Sequence, residues 1–305
     1  MPAARASASS AGAHPLAAKG FPALFVLLWS TGFIAAKYGL PYAPPAQFLF
    51  YRFTFVALLM AVVAWTTRAT WPASPREYLH ITIVALLVHA TYLGGVFTAL
   101  AGGMSAGIAA MLVGLQPVLT VLLAWGFMSE RVVLRQWMGL LCGLAGVYLV
   151  VRHKIDLAGG LQGVLPCTLA LVGMSIGTLY QKRHCALVDL RSGAVIQYAA
   201  CAIALAPWAF LVAPHAVQWT PEFFFALGWS VVVLSVGAIS VLYWMLRHGA
   251  AAGVARLFYL VPPVTAVMAW WLFGETLGVD AVAGMVLIAV GVILARPPPP
   301  LSLLP

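Results

Sequence analysis

The chain has 305 residues, of which 63% are apolar and only 8% charged, and its mean hydropathy is +1.01. A soluble fold of this length cannot hide that much apolar surface, so a water-soluble domain is excluded and an integral membrane protein is expected. The net charge of +9 would suggest nucleic acid as a partner of a soluble domain, but here the basic residues fall at the ends of apolar runs. Topology and anionic headgroups account for them, so the expected partner is the lipid bilayer and no nucleic acid.

Residues 1–19 are rich in Ala and Ser and hold no apolar core ahead of the first long apolar run. They read as a cytoplasmic tail without a signal peptide, the first helix itself serving as the insertion signal. A spanning helix needs about 20 mostly apolar residues to cross a core of roughly 30 Å. Ten such stretches are predicted, near 20–40, 46–66, 78–100, 105–128, 134–151, 161–181, 193–213, 223–246, 250–273 and 279–295. Loops between them are short, which leaves little room outside the bilayer for a soluble catalytic module. Residues 297–305 open on four prolines and form a cytoplasmic tail that cannot continue a helix.

The first span carries Trp29 beside small and polar residues, and Lys37 about a turn from its outer end, where an ammonium reaches the headgroups by snorkelling. The second holds Arg52 two turns in, at the limit of an arginine's reach; it either snorkels or faces a wet cavity or an anionic group. His89 lies near the middle of the third span, about 15 Å of helix rise from either end, and cannot reach water along the helix. A histidine there exchanges a proton, hydrogen-bonds a substrate or glues two helices together, and Thr82 and Tyr92 share its face.

Gln116-Pro117 in the fourth span and Pro262-Pro263 in the ninth occupy matched positions near the midplane. Proline removes a backbone donor and bends the helix, and matched breaks in two halves point to a central site, although prolines also serve as packing kinks. Gln116 is the side chain expected to face a substrate. Trp244 in the eighth span, with Trp29 and Tyr92, offers an apolar wall or simple helix packing. Arg256 in the ninth, with Tyr259 about one turn on, is the second cation expected to face the cavity. Trp71 and Trp219 read as interfacial belt residues.

No Asp or Glu falls deep in any span, so a carboxylate proton relay is absent. Glu130 and Glu275 lie where one helix ends and the next begins, and are read as charges that favour a helix N-terminus. No GxxxxGK[ST] pattern occurs, so ATP hydrolysis has no support. Cys142, Cys167, Cys185 and Cys201 show no CxxC spacing, which argues for packing rather than a metal or a disulfide. No metal, cofactor or catalytic residue is expected.

The segment from Pro117 to Gly146 recurs as Pro262 to Gly291, an offset of 145 (262 − 117), with Thr120, Trp125, Glu130 and Gly139 matched by Thr265, Trp270, Glu275 and Gly284. The same offset pairs Gly32 with Gly177, Lys37 with Lys182 and Glu77 with Glu222, so the chain is a doubled unit. Five spans per unit is an odd number, and the second unit must then run opposite to the first. The expected fold is therefore all-α, with ten transmembrane helices as two inverted five-helix repeats over residues 20–152 and 160–296. Lys and Arg crowd the loops on the side of both termini, which places both ends in the cytoplasm. Gly139, Gly143, Gly146, Gly284 and Gly291 make a smooth face for close helix contact, within one chain or between two.

Two five-helix copies, each ending in Pro, an apolar run, Gly or Ser before Glu, and spaced glycines, resemble the drug/metabolite transporter superfamily and specifically its EamA-type members. The residues that carry the resemblance are Trp29-Ser30-Thr31-Gly32-Phe33 with Lys37, Arg52, Pro117 to Ser129-Glu130, Gly139 to Gly146, Pro262 to Gly274-Glu275 and Gly284 to Gly291. The resemblance implies a basket of helices around a central cavity, working by alternating access. It also implies secondary carriage, most readily efflux, of amino acids or related small metabolites across the plasma membrane, the inner membrane in a Gram-negative cell.

Read together, the expected substrate-binding residues are His89, Tyr92, Gln116, Arg52, Arg256, Tyr259, Trp29 and Trp244. Pro117, Pro262 and Pro263 are the expected helix breaks, and His89 the candidate for proton coupling. The two cations would favour a substrate carrying a carboxylate or phosphate. An alternative substrate is a lipid-linked, phosphorylated or nucleotide-type metabolite. An intramembrane lipid-modifying enzyme would need an acid/base pair or nucleophile at depth, and His89 has no such partner in sequence. The sequence leaves monomer and homodimer undecided.

Overall fold

A computed structural model describes residues 15–128, 133–155, 160–212, 215–248, 257–275 and 278–294; among these the regular structure is helical, with no strand. Helices α1 (Pro15–Gly39) and α2 (Pro45–Thr66) are followed by α3 (Pro75–Ala85) and α4 (Tyr92–Ala101), which a π-helical segment, Leu86–Thr91, joins into one rod. Next come α5 (Ala106–Val113), α6 (Gln116–Met128), α7 (Leu134–Ile155), α8 (Gly160–His184) and α9 (Leu190–Pro207), which runs into a short π-helical turn, Trp208–Val212. A second rod is built from α10 (Pro221–Gly228), a π-helical segment at Trp229–Ala238 and α11 (Ile239–His248). Helices α12 (Val261–Phe273) and α13 (Val279–Leu294) close the described chain.

Six described helical stretches are long and apolar enough to cross a membrane: Gly20–Tyr42, Pro45–Thr66, Pro75–Ala101, Gly163–His184, Leu190–Val212 and Pro221–Leu242. Ala106–Thr120, Val261–Phe273 and Val279–Leu294 are shorter apolar helices. Large apolar side chains face outward on many of them, among them Leu58, Trp65, Leu141, Leu165, Ile203, Leu211, Phe224 and Trp271, all more than half exposed. Surface of that kind is stable against lipid and not against water. The chain is a multi-pass membrane protein.

Local chemistry sets the helix ends. Proline stands at the first helical position of α2, α3 and α10, where its missing N–H costs nothing. Ser74, Ser105 and Thr220 accept hydrogen bonds from the backbone N–H of Glu77, Ile108 and Phe223, capping α3, α5 and α10. Asp189 caps α9 through the Arg191 N–H. Gly274, at φ 63°, takes the left-handed conformation that ends α12.

The core lies where the helices converge. Phe25, Phe48, Phe53, Phe97 and Phe223 are fully buried, and Phe48 meets both Phe97 and Phe223 edge to face at 5.1 and 5.2 Å. The principal packing partners are α7 with α13, α2 with α9, α4 with α8, and α5 with α12, while α1 lies against α12 and the second π segment. Between α7 and α13 the approach is close enough that a Cβ on Gly291 would stand 2.5 Å from the Gly139 carbonyl oxygen, and one on Gly146 2.7 Å from that of Gly284. The glycine face read from the sequence is thus used inside this chain.

Two side chains behave differently from their expected roles. Lys37 does not snorkel outward but forms an ion pair with Glu275. Glu275 favours the N-terminus of α5 rather than that of the helix following it, accepting the Ala106 N–H at 3.2 and 3.1 Å. One carboxylate thereby ties α1, α5 and the end of α12 together. Glu130 lies outside the described residues.

Candidate functional site

A cavity of about 160 Å³ opens between α1, α2, the π segments of the two rods and their flanking helices, with single residues from α8 and α9. Helix α1 gives it Trp29, Gly32 and Phe33; α2 gives Arg52; the first rod gives Val88, His89, Tyr92, Leu93, Val96 and Phe97. From the other half come Met174, Tyr198, Leu234, Ser235, Ala238 and Ile239. The π-helical segments of both rods therefore face the same space, and the π turn Trp208–Val212 does not line it. A π turn holds one residue more than an α turn and re-aims the side chains on it, which is why such turns gather at functional sites.

The packing behind the cavity holds these side chains in place. The Trp29 indole is wedged between Phe25 and Phe258, at 5.3 and 5.0 Å. Thr31 accepts the Trp229 indole N–H at 2.9 Å, and Ser30 donates to the Val261 carbonyl at 3.3 Å, so α1 is pinned to the second π segment and to α12. Ser235 donates to the Ser230 carbonyl at 3.1 Å, within the π segment itself.

His89 sits with its imidazole stacked on the Tyr198 ring at 4.7 Å and its Nε2 3.0 Å from Gln197 Oε1. Arg52 is 7% exposed and lines the cavity, yet its Nε–H has no acceptor. Among the described residues the ion pairs are Lys37–Glu275 and Arg191–Asp189, and neither carboxylate serves Arg52. A lone guanidinium at membrane depth is costly unless something negative arrives. A carboxylate about 4 Å away would gain about 4 kcal/mol at an effective dielectric of about 20.

Of the residues expected from the sequence, the structure gathers Trp29, Arg52, His89 and Tyr92 around this one cavity. Gln116 lies elsewhere: its amide donates to Thr120 Oγ1 at 3.3 Å and Thr178 Oγ1 at 3.5 Å, between α6 and α8, and it does not line the cavity. Pro117, beside it in the first turn of α6, does not line it either. Pro262 and Pro263 line a second, apolar cavity of about 240 Å³ between α5, α12 and α13, with Met111, Phe258 and Met285. Trp244 packs edge to face on Phe21 at 4.3 Å. Arg256 and the side chain of Tyr259 lie outside the described residues.

Several contributors were missed: Gln197, Tyr198, Met174 and Ser235. The repeat offset contained the signal for the first three. Adding 145 to Trp29, Arg52 and Phe53 gives Met174, Gln197 and Tyr198, and adding it to His89 and Leu93 gives Leu234 and Ala238. The offset also carries Leu86–Thr91 to 231–236, inside the second π segment.

Comparison with known proteins is consistent with this geometry. The sequence matches the EamA-like transporter family twice, over residues 21–152 and 161–296. It is 27% identical over 282 residues to the uncharacterized transporter YvbV of Bacillus subtilis, covering 90% of each chain. An uncharacterized transporter of Archaeoglobus fulgidus is 28% identical over 277 residues, covering 89% of this chain and 94% of its own. The uncharacterized inner membrane transporter YedA of Escherichia coli is 25% identical over 263 residues, 84% of each chain. A solved protein crystal structure shares the fold, with a TM-score of 0.62 at 20% identity over 91% of this chain and 96% of that one.

Proposed function

The chain belongs to the EamA-like transporter family, and on that premise we propose that it is a secondary carrier that moves amino acids or related small metabolites, most readily outward, by alternating access. The observation that carries this reading is the cavity whose walls come from residues related by the offset of 145, one set from each half, around two π-helical segments. Discontinuous helices meeting at the interface of two repeats are the usual site of secondary transporters.

The same relationship supports an inverted architecture of ten spans, with five-helix units at 20–152 and 160–296. Exchanging the halves maps the contact of α4 with α8 onto that of α1 with the second rod, and maps α2 with α9 and α7 with α13 onto themselves. The charge bias of the loops favours both termini in the cytoplasm, and the relative named as an inner membrane transporter supports a plasma-membrane location. His89 is the coupling residue in this proposal, because it is the titratable imidazole that touches the cavity.

A cavity of about 160 Å³, with Arg52 as its arginine among the described residues, leaves little room for a nucleotide or a lipid-linked group. An enzymatic reading finds a neutral amide, Gln197, rather than a carboxylate or thiol against His89. The test is uptake of amino acids and organic acids into proteoliposomes with and without an imposed pH gradient. Saturable uptake that grows with the gradient is expected, and absence of uptake for every compound would remove the carrier reading.

A further inference from the structure

We infer, building on the carrier reading above, that the central cavity selects a compact organic monoanion, a carboxylate with an apolar tail and no ammonium group, over the zwitterion of the same skeleton. Arg52 is more than nine-tenths buried, lines the cavity and holds an Nε–H without an acceptor, while no described carboxylate lines the same space. Among the described residues the fixed charge of the cavity is therefore one uncompensated guanidinium. A carboxylate neutralises it and meets the planar fork of N–H donors in two parallel hydrogen bonds.

An amino acid would bring an ammonium into the same enclosure, where it is repelled by Arg52 and needs acceptors of its own. The described acceptors at hand carry no negative charge: Gln197 Oε1 already faces His89 Nε2, and the hydroxyls of Ser235, Tyr92 and Tyr198 are neutral and cannot offset the repulsion of an ammonium by Arg52. Much of the remaining wall is apolar, with Phe33, Phe97, Leu93 and Leu234 among its members. A cavity of about 150 Å³ is enough to hold a benzene ring, so the space suits a carboxylate on a short branched or aromatic tail.

The probes are three molecules of one skeleton, 4-methyl-2-oxopentanoate, leucine and leucinol, which present an anion, a zwitterion and a cation, together with inorganic phosphate. Binding to the purified full chain is measured by calorimetry at pH 7. The oxo acid is expected to bind at least about tenfold more tightly than leucine, with leucinol and phosphate weaker than either. Equal or tighter binding of leucine, displacement of the oxo acid by phosphate, or no binding of the oxo acid would each overturn the inference. Arg52→Gln is expected to lose the preference and Arg52→Lys to keep part of it, but the wild-type comparison decides without either variant. Proteoliposome uptake separates the two readings. An oxo acid that binds with the expected preference but is not carried would sink the carrier reading alone, and leucine carried as well as the oxo acid would sink the substrate class alone.

Discussion

The imidazole Nε2 of His89 lies 3.0 Å from Oε1 of Gln197, and Gln197 stands at the position that the repeat offset relates to Arg52. An amide oxygen only accepts, so the imidazole donates its Nε2–H here and Nδ1 is left as the basic nitrogen. The offset of 145 thus relates a permanent cation to a neutral amide, and the amide orients the described histidine that lines the cavity.

His89→Ala is expected to abolish the response of transport to a pH gradient while the protein still folds, because the Tyr198 ring that stacks on it is held independently against Phe53 at 5.9 Å. Counterflow without a gradient, run beside gradient-driven uptake on the same vesicles, checks this. An unchanged gradient response would remove His89 from coupling.

Gln197→Leu deletes the acceptor and frees the imidazole to rotate. Gradient-driven uptake should fall by about tenfold, the effect of about 1.4 kcal/mol, with the melting temperature changed little. A loss of folding instead, seen by size-exclusion chromatography, would make the pair structural.

Glu275→Ala should destabilise the chain by about 3 kcal/mol or more, since it strands both a half-buried Lys37 and the Ala106 N–H. The exchange Lys37→Glu with Glu275→Lys restores an ion pair but sets an ammonium against the N-terminus of α5, so thermal unfolding should show little rescue. Full rescue would mean that the helix terminus contributes nothing.

Gly291→Ala puts a methyl 2.5 Å from a backbone carbonyl of α7 and should lower the melting temperature by several degrees, whereas Gly126→Ala and Gly228→Ala meet nothing within 4 Å and should be silent. Equal behaviour of the three variants would contradict the packing of α7 on α13.

Asp189 joins the α2–α3 loop to α9: it pairs with Arg191 at 2.6 Å and accepts the Thr70 N–H at 3.1 Å, and Arg191 in turn donates to the Thr67 carbonyl at 3.0 Å. The Arg191 guanidinium holds its carboxyl well below the usual carboxylate range. A depressed acid stabilises the fold above its unfolded pKa of about 3.9 and loses that contribution as pH falls through the folded value. Asp189→Ala should therefore melt about 2–4 °C lower at pH 7, a cap's worth of about 1 kcal/mol, and the gap to wild type should narrow only below about pH 4. A gap constant down to pH 2.5 would contradict the assignment.

Local chemistry, read residue by residue, determined much of this protein by itself. Apolar run length marked the membrane helices, because in lipid the backbone must satisfy its own hydrogen bonds and a helix of about 20 residues is the shortest way to do so. Recurrence of Trp125, Glu130 and Gly139 as Trp270, Glu275 and Gly284 exposed the doubling, and the cost of burying charge singled out Arg52 and His89 before any contact was known. What only the tertiary structure decided depends on partners 62 or more residues away along the chain. Gln116 shares its composition and depth with a cavity residue, yet helix packing turns it to Thr178. Lys37 and Glu275 each suited a local role, snorkelling for one and the next helix's N-terminus for the other, until α1, α5 and α12 met at one carboxylate. The π segments leave no periodicity signal, since one extra residue in a turn is stabilised by the neighbours it packs against and not by its own sequence. Sequence fixes what each residue can do at its depth in the membrane, and packing chooses which neighbour it does it with.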